Sequence, residues 1–154
     1  MQLTLLTVGK CKNAGYQSAS KDYIRRIGHY ASFQEIQVKE EKASGDVEDV
    51  IVKEGQRLLL GIPRNTPLIA LDPSGQPCAS ETLATRISSA GIQGQSRMAF
   101  VIGGAFGLSC QVRNHAAWCL SLSEMTFPHE LARVILLEQI YRAFTIIRGE
   151  SYHK

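Results

Sequence analysis

The sequence predicts an α/β fold, a mainly parallel sheet flanked by helices, on three observations. Short apolar runs that read as strands alternate with longer amphipathic stretches that read as helices, from Leu3 to Ile147. Gly103-Gly104-Ala105-Phe106-Gly107-Leu108 and Ser123-Glu124-Met125-Thr126-Phe127-Pro128-His129 each follow a strand pattern, and two such turns form a ligand crevice in an α/β sheet. The 154 residues are 44% hydrophobic and 20% charged, with no repeat or low-complexity linker dividing them, which suits one domain over 1–154 with a sizeable core.

Leu3 to Val8 reads as a first buried strand, because Leu, Thr and Val alternate loosely up to Gly9. Tyr16 to Gly28 reads as a helix, with Tyr23, Ile24 and Ile27 on its apolar side and Lys21, Arg25 and Arg26 more exposed. Phe33 to Val38 is a second strand with one break in strict alternation, and the polar segment Glu40 to Gly45 is a loop. Val47 to Leu60 fits a helix that stops at Gly61 and is terminated by Pro63. Pro67 to Leu71 is the third strand, ended by the turn signal Asp72-Pro73-Ser74-Gly75.

Ser80 is the expected N-cap of a helix running to about Ser89, with Leu83, Ala84 and Ile87 packing inward. Arg97 to Ile102 is a strand that ends in the Gly103-Gly104 turn. A short helix begins at Ser109 or Cys110 and ends near Ala116, and Ala117 to Leu122 forms the last strand. Phe127 to Ile147 is a long helix whose Leu131, Val134, Ile135, Leu137, Ile140, Tyr141 and Phe144 cover more than one face. So broad an apolar surface is expected to need more than one sheet face, and a partner chain could supply the rest.

Composition narrows the function classes. The longest apolar run, Val134 to Leu137, is far too short to cross a bilayer, and Met1-Gln2-Leu3-Thr4 leads into a strand without a basic leader region, so a cytoplasmic location is expected, with no membrane partner. Cys11, Cys78, Cys110 and Cys119 make no CxxC pair and no regular spacing with the four histidines, so free thiols and no metal site are expected. Net charge is only +3, but Lys10, Lys12, Lys21, Arg25 and Arg26 cluster near the start, followed by acidic Glu40, Glu41, Asp46, Glu48, Asp49 and Glu54. The basic cluster is either a docking surface for a polyanion or an ordinary solvated helix.

Gly103, Gly104 and Gly107 have the wrong register for a dinucleotide fingerprint, and no Gly-Lys-Ser/Thr ending makes a P-loop. They form either a glycine-lined adenosine or small-cofactor pocket or a purely structural tight turn. These two blocks stand with Leu137-Glu138-Gln139-Ile140-Tyr141-Arg142-Ala143-Phe144, the closing Gly149-Glu150-Ser151-Tyr152-His153-Lys154, the opening Val8-Gly9-Lys10 and the central Leu71-Asp72-Pro73-Ser74-Gly75. In order, spacing and total length the set resembles the small SPOUT-class methyltransferases that modify a pseudouridine of large-subunit ribosomal RNA, over essentially the whole chain.

The resemblance implies a trefoil knot in the C-terminal half, a homodimer, and S-adenosyl-L-methionine bound bent inside the knotted loops. General rules disfavour threaded connections, so the knot rests on the resemblance alone. The implied activity is methylation at N3 of a pseudouridine in 23S ribosomal RNA, on assembled ribosomes. Its alternatives are another SPOUT-type RNA base methylation and a non-enzymatic RNA-binding dimer. The cofactor pocket would fall on Leu71, on Gly103, and on Leu122, Ser123, Glu124, Met125, Thr126 and Phe127. Two departures are Gln76, where relatives often carry Lys, and Cys11, which interrupts a basic stretch between Lys10 and Lys12.

The residue types suit that chemistry. Backbone N–H and C=O groups on glycine- and leucine-lined turns recognise adenine without a phosphate, and a methyl sulfonium needs no metal. His129 and Arg133, four residues apart, share a helix face. They read either as a helix-start cap and a surface cation, or as groups at the pocket mouth that orient a flipped base and its phosphate. The attacking imide nitrogen must lose a proton, either to histidine or to water while Arg142, Tyr152 or His153 stabilises the developing anion. Glu138 also reads as a simple partner for Arg142, four residues on. Tyr152 and His153 form either a frayed end or a tail that orders over the active site, in its own protomer or across the dimer, where they stack on and hydrogen-bond to a base.

Overall fold

The computed structural model describes residues 1–42 and 46–154, so the last three residues of the expected loop from Glu40 to Gly45 lie outside the described residues. In chain order the elements are β1 (Gln2–Val8), α1 (Ala14–Ile27), β2 (Ser32–Val38), α2 (Val47–Gly61), β3 (Leu68–Pro77), α3 (Ser80–Ile92), β4 (Arg97–Ile102), α4 (Cys110–His115), β5 (Trp118–Ser121) and α5 (His129–Arg148). The strands form one sheet in the order β2-β1-β4-β3-β5, and every adjacent pair is parallel.

The parallel sheet explains its own sequence pattern. β1 and β4 are interior strands covered on both faces, so Leu3 to Val8 and Met98 to Ile102 are buried without interruption. β2 lies at an edge and has no fully buried residue, which accounts for its broken alternation. One sheet face carries α1, α3 and α5 over a core that includes Leu3, Leu5, Phe100, Ile27, Ile87, Leu137 and Ile140. The other carries α2 and α4 over Leu6, Ala70, Val101, Leu58 and Val112.

Three expectations change. First, α5 does not need two sheet faces. Leu136, Leu137, Ile140, Ala143 and Phe144 are buried in a single core between α1 and α3, while Leu131, Val134, Ile135 and Tyr141 are half-buried. Second, Ser80 does not cap α3. Its hydroxyl donates to Gln139 Oε1 at 2.6 Å, tying α3 to α5, and the N-cap position falls on Ala79, which makes no side-chain cap.

Third, β3 does not end at Leu71. Leu71 pairs with Leu120 of β5, and after the Asp72–Gly75 bend Gln76 pairs with the same Leu120 and Pro77 with Ser121. The chain therefore folds around one residue of β5. The turn chemistry is the one anticipated: Asp72 Oδ1 accepts from the Ser74 N–H at 2.9 Å and from its hydroxyl at 2.6 Å. Gly75 is required by close approach, since a Cβ there would lie 2.7 Å from the Cys119 carbonyl oxygen and 2.9 Å from the Leu120 carbonyl carbon. Sequence spacing reveals the bend but not the strand inside it.

Candidate functional site

A cavity of about 500 Å³ opens at the bend of β3 and the carboxyl ends of β4 and β5. Leu71, Asp72 and Pro73, where β3 enters its bend, form one wall, Ile102 to Ala105 and Gly107 form the second, and Leu120, Leu122, Ser123 and Met125 to Pro128 form the third. His129 and Ala132 of α5 complete it. Carboxyl ends of parallel strands are where an open α/β sheet binds ligands, because neighbouring loops diverge there.

The second wall depends on close backbone packing. A Cβ on Gly103 would lie 2.5 Å from both the carbonyl carbon and the oxygen of Gly107, and Gly107 itself holds φ +87, a left-handed conformation suited to glycine. The Gly107 N–H donates to the Gly104 carbonyl at 3.1 Å, closing the turn. On the third wall the Ser121 hydroxyl donates to the Ser123 carbonyl at 2.9 Å, and Ser123 Oγ accepts from the Met125 N–H at 3.0 Å. That bonding holds Leu122 to Phe127 in an irregular loop whose backbone groups are available to a ligand.

Of the cofactor residues expected from the resemblance, Leu71, Gly103, Leu122, Ser123, Met125, Thr126 and Phe127 all line this cavity. Glu124 is exposed and does not. Asp72, which the pocket expectation did not include, contributes a carboxylate 10% exposed and 3.3 Å from the Arg113 guanidinium. Burial acts to raise the Asp72 pKa, but the Ser74 hydrogen bonds and Arg113 outweigh it and hold the carboxyl below its ordinary value. The Asp72 charge is thus fixed and matched at the cavity edge.

His129 is half-buried in the cavity wall at the first position of α5, where Pro128 occupies the N-cap without a side-chain bond. It is therefore no helix cap. Arg133 is neither a surface cation nor free at the mouth: it is 8% exposed and donates to Glu35 Oε2 of β2 at 2.7 Å. It borders a void of only about 10 Å³ that also touches Thr7, Gly103 and His129. Among the described residues Thr7 Oγ1, Glu35 Oε1 and Arg133 Nε are buried with no protein partner. A void of that size next to such groups suits one bridging water, not a phosphate.

Arg142, Tyr152 and His153 meet one another but not the cavity. The Glu138 carboxylate accepts from Arg142 at 2.6 and 3.0 Å and from the Tyr152 hydroxyl at 3.0 Å. The Arg142 guanidinium lies 4.7 Å from the Tyr152 ring centre, and a His153 ring nitrogen is 3.0 Å from Glu81 of α3. Burial, with help from Tyr23 and Glu138, raises the Tyr152 phenol above its ordinary value, so it stays protonated near neutrality. The tail is ordered against α3 and α5 rather than frayed. Thirteen residues of helix separate His129 from Arg142, about 20 Å along the axis. Within one protomer His129 and Arg142 therefore stand apart.

Sequence reasoning missed Glu35, Asp72, Arg113 and Glu130, whose partners are 41 to 119 positions away. Neighbours one helical turn apart on α5 carry a local signal; pairings over such distances carry none. The four cysteines form no disulfide, and among the described residues no cluster of His, Cys, Asp and Glu is arranged to hold a metal.

Comparison with known proteins agrees with this geometry. A family model described as "Predicted SPOUT methyltransferase" matches residues 1–153. Relatives from Halothermothrix orenii and Carboxydothermus hydrogenoformans, both named ribosomal RNA large subunit methyltransferase H, are each 44% identical over 159 aligned positions covering all of both chains. Among solved structures, a "putative methyltransferase" of Legionella pneumophila in complex with the bound cofactor SAM superimposes with a TM-score of 0.53 at 13% identity. That match covers 93% of this chain and 66% of the other, and shows a shared fold.

Proposed function

This chain belongs to the SPOUT methyltransferase family, and on that premise we propose that it methylates 23S ribosomal RNA with S-adenosylmethionine, at N3 of a pseudouridine. One observation carries the reading: the cavity at the strand ends is walled by the three loops the resemblance assigns to the cofactor. Its volume of about 500 Å³ suits a nucleoside-sized ligand. Its lining is mostly backbone and apolar side chains, with Ser123, Thr126 and His129 as polar groups and one carboxylate already matched by Arg113. Such a wall holds an adenine by backbone hydrogen bonds, and the Gly103 turn, where a Cβ would collide with Gly107, lets the backbone come close.

When bound, the sulfonium supplies an electrophilic methyl group. The remaining demands fall on this chain. Leu71 and Leu122 cover the adenosine, the Leu122–Phe127 loop excludes water, and His129 on the cavity wall orients the target base and receives the N3 proton, or passes it to water. Arg142, Tyr152 and His153 stabilise the resulting imide anion from a second protomer, because within one protomer none of them lines the cavity and Arg142 lies about 20 Å from His129 along α5. A homodimer follows from that arrangement, and the half-buried Leu131, Val134, Ile135 and Tyr141 give α5 apolar surface to spare for it. Residues 1–154 act as one domain. The bend of Leu71–Pro77, which pairs with β5 on both sides of its register shift at Leu120, supports the C-terminal trefoil knot that the resemblance implies.

The test compares ribosomal RNA from cells with and without the gene by mass spectrometry, then measures methyl transfer by purified protein to ribosomes from the deleted strain. The expected result is a methylated pseudouridine that disappears on deletion and returns in vitro. Methylation of another base would move the assignment elsewhere among RNA methyltransferases. Absence of S-adenosylmethionine binding in calorimetry would overturn the enzyme reading.

A further inference from the structure

We propose that the loop between β1 and α1 is a phosphate-gripping rim for the substrate RNA, and that Glu130 is the positioning residue that sets it beside the active cavity. The inference rests on the methyltransferase reading above. It starts from one carboxylate with three donors. Glu130 Oε1 accepts from the Lys12 N–H at 2.9 Å, and Oε2 accepts from the Asn13 N–H at 3.1 Å and from the Cys11 thiol at 3.3 Å. These bonds join chain segments 117 to 119 residues apart, so α5 fixes the loop in space rather than the loop fixing itself.

The clamp also determines which way the side chains point. Cys11 is 9% exposed and faces Glu130, while its neighbours Lys10 and Lys12 are exposed. With Cys11 held inward, the lysines on either side of it are left exposed to solvent. The cysteine that interrupts the basic stretch in the sequence is the anchor that displays it. Gln17 adds a second tie, its amide donating to the Cys11 carbonyl at 2.6 Å.

Position gives the rim its role. Gly9, Cys11, Gly103, His129, Glu130 and Arg133 surround one small void, so the loop abuts both the glycine turn and the histidine of the cavity wall. Three donors absorb the Glu130 carboxylate, which their hydrogen bonds hold below its ordinary pKa, so it anchors without facing the RNA. The Lys12 ammonium is 3.6 Å from Glu40, but the side chains are 79% and 48% exposed. An ion pair that open is worth little in water, and a phosphate replaces Glu40 at small cost. Lys10 makes no ion pair among the described residues. A base entering the cavity past His129 brings its flanking phosphates with it, and two ammonium groups on a pinned loop beside that wall hold the backbone while the base is drawn in.

The experiment is a mutant cycle on the full-length protein with ribosomes from the deleted strain, using Lys10→Ala/Lys12→Ala, Glu130→Ala and the combination. Measured are KM for ribosomes, its salt dependence, S-adenosylmethionine affinity by calorimetry, and thermal midpoint. The lysine pair should raise KM about tenfold and reduce the log–log salt slope by about 1.4, the release expected from two single-strand phosphate contacts. Glu130→Ala, which keeps both lysines, should raise KM by a similar factor with cofactor affinity unchanged, and should add less than about twofold when the lysines are already absent.

An equal Glu130→Ala effect with and without the lysines would reduce Glu130 to a structural residue and overturn the proposal. So would an unchanged KM in the lysine variant, or a matching loss of cofactor affinity in Glu130→Ala. If Glu130→Ala loses its fold in thermal melting, Glu130→Gln, which keeps one acceptor, takes its place in the cycle. Wild-type protein that transfers no methyl group to ribosomes defeats the functional reading itself, a result separate from any of these.

Discussion

At Gly103 a single carbon atom decides whether the cavity keeps its second wall. Any Cβ would lie 2.5 Å from the Gly107 carbonyl group, and backbone on both sides cannot yield as a flexible side chain would. Gly103→Val should therefore weaken S-adenosylmethionine affinity more than about tenfold, a loss of about 1.4 kcal/mol or more, measured by calorimetry. Wild-type affinity in that variant would remove the turn from the binding site. Glu54 poses a different problem, since it is 3% exposed in α2, accepts only the Glu41 N–H at 2.9 Å among the described residues, and stands against Gly104. Burial raises its pKa, so above the ordinary value of 4.5 the folded chain holds more of this proton than the unfolded chain does. Stability from this residue is therefore present at low pH and lost as pH rises through the folded pKa. Glu54→Gln should flatten that decline in thermal midpoint on the neutral side; an unchanged profile would show that the carboxyl carries no such cost. The glycine turn was legible because glycine has few substitutes there, whereas nothing in the sequence around Glu54 distinguishes it from the exposed acids nearby.

At the scale of elements, β3 and α5 do the positioning. The bend of β3 around Leu120 leaves no room at Gly75, where an added Cβ would meet the Cys119 and Leu120 backbone at 2.7 to 2.9 Å. Gly75→Ala should cost about 1–3 kcal/mol of stability, as overpacking generally does, and chemical denaturation would measure it. A neutral result would mean that the bend has slack. Along α5 the chemistry is divided, with His129 at the cavity end and the Glu138, Arg142, Tyr152 and His153 group near the other. Tyr152 also packs edge-on against Tyr141, ring centres 4.7 Å apart. Deleting the residues after Gly149 should lower single-turnover methyl transfer by about a hundredfold, the cost of misplacing groups around a reacting centre. Cofactor affinity should survive, because no tail residue lines the cavity. Full transfer by the truncated protein would make the tail a structural end. The Glu138–Arg142 pair was visible four residues apart in sequence; its third and fourth partners came only with the folded tail.

For the whole molecule, the separation of His129 from Arg142 along α5 is the ground for the proposed two-chain active unit. Mixing a Gly103→Val subunit with a subunit truncated after Gly149 should restore activity that neither shows alone, since the mixed dimer contains one intact cavity facing one intact tail. No recovery after subunit exchange, or a stable active monomer in sedimentation, would return the tail to its own protomer. The sequence by itself determined the alternation of strands and helices, the mainly parallel character of the sheet and the two turns, at Gly103–Leu108 and Ser123–His129, that contribute to the cavity wall. Those features rest on periodicity, turn chemistry and the spacing of small residues, all read over a few positions. The wall at Leu71 was expected from the family resemblance. Tertiary structure alone decided that β3 wraps β5, that Arg133 is buried against Glu35, and that Glu130 holds the Lys10–Asn13 loop. Each joins residues tens of positions or more apart, where no local preference records which partner the packed chain will present.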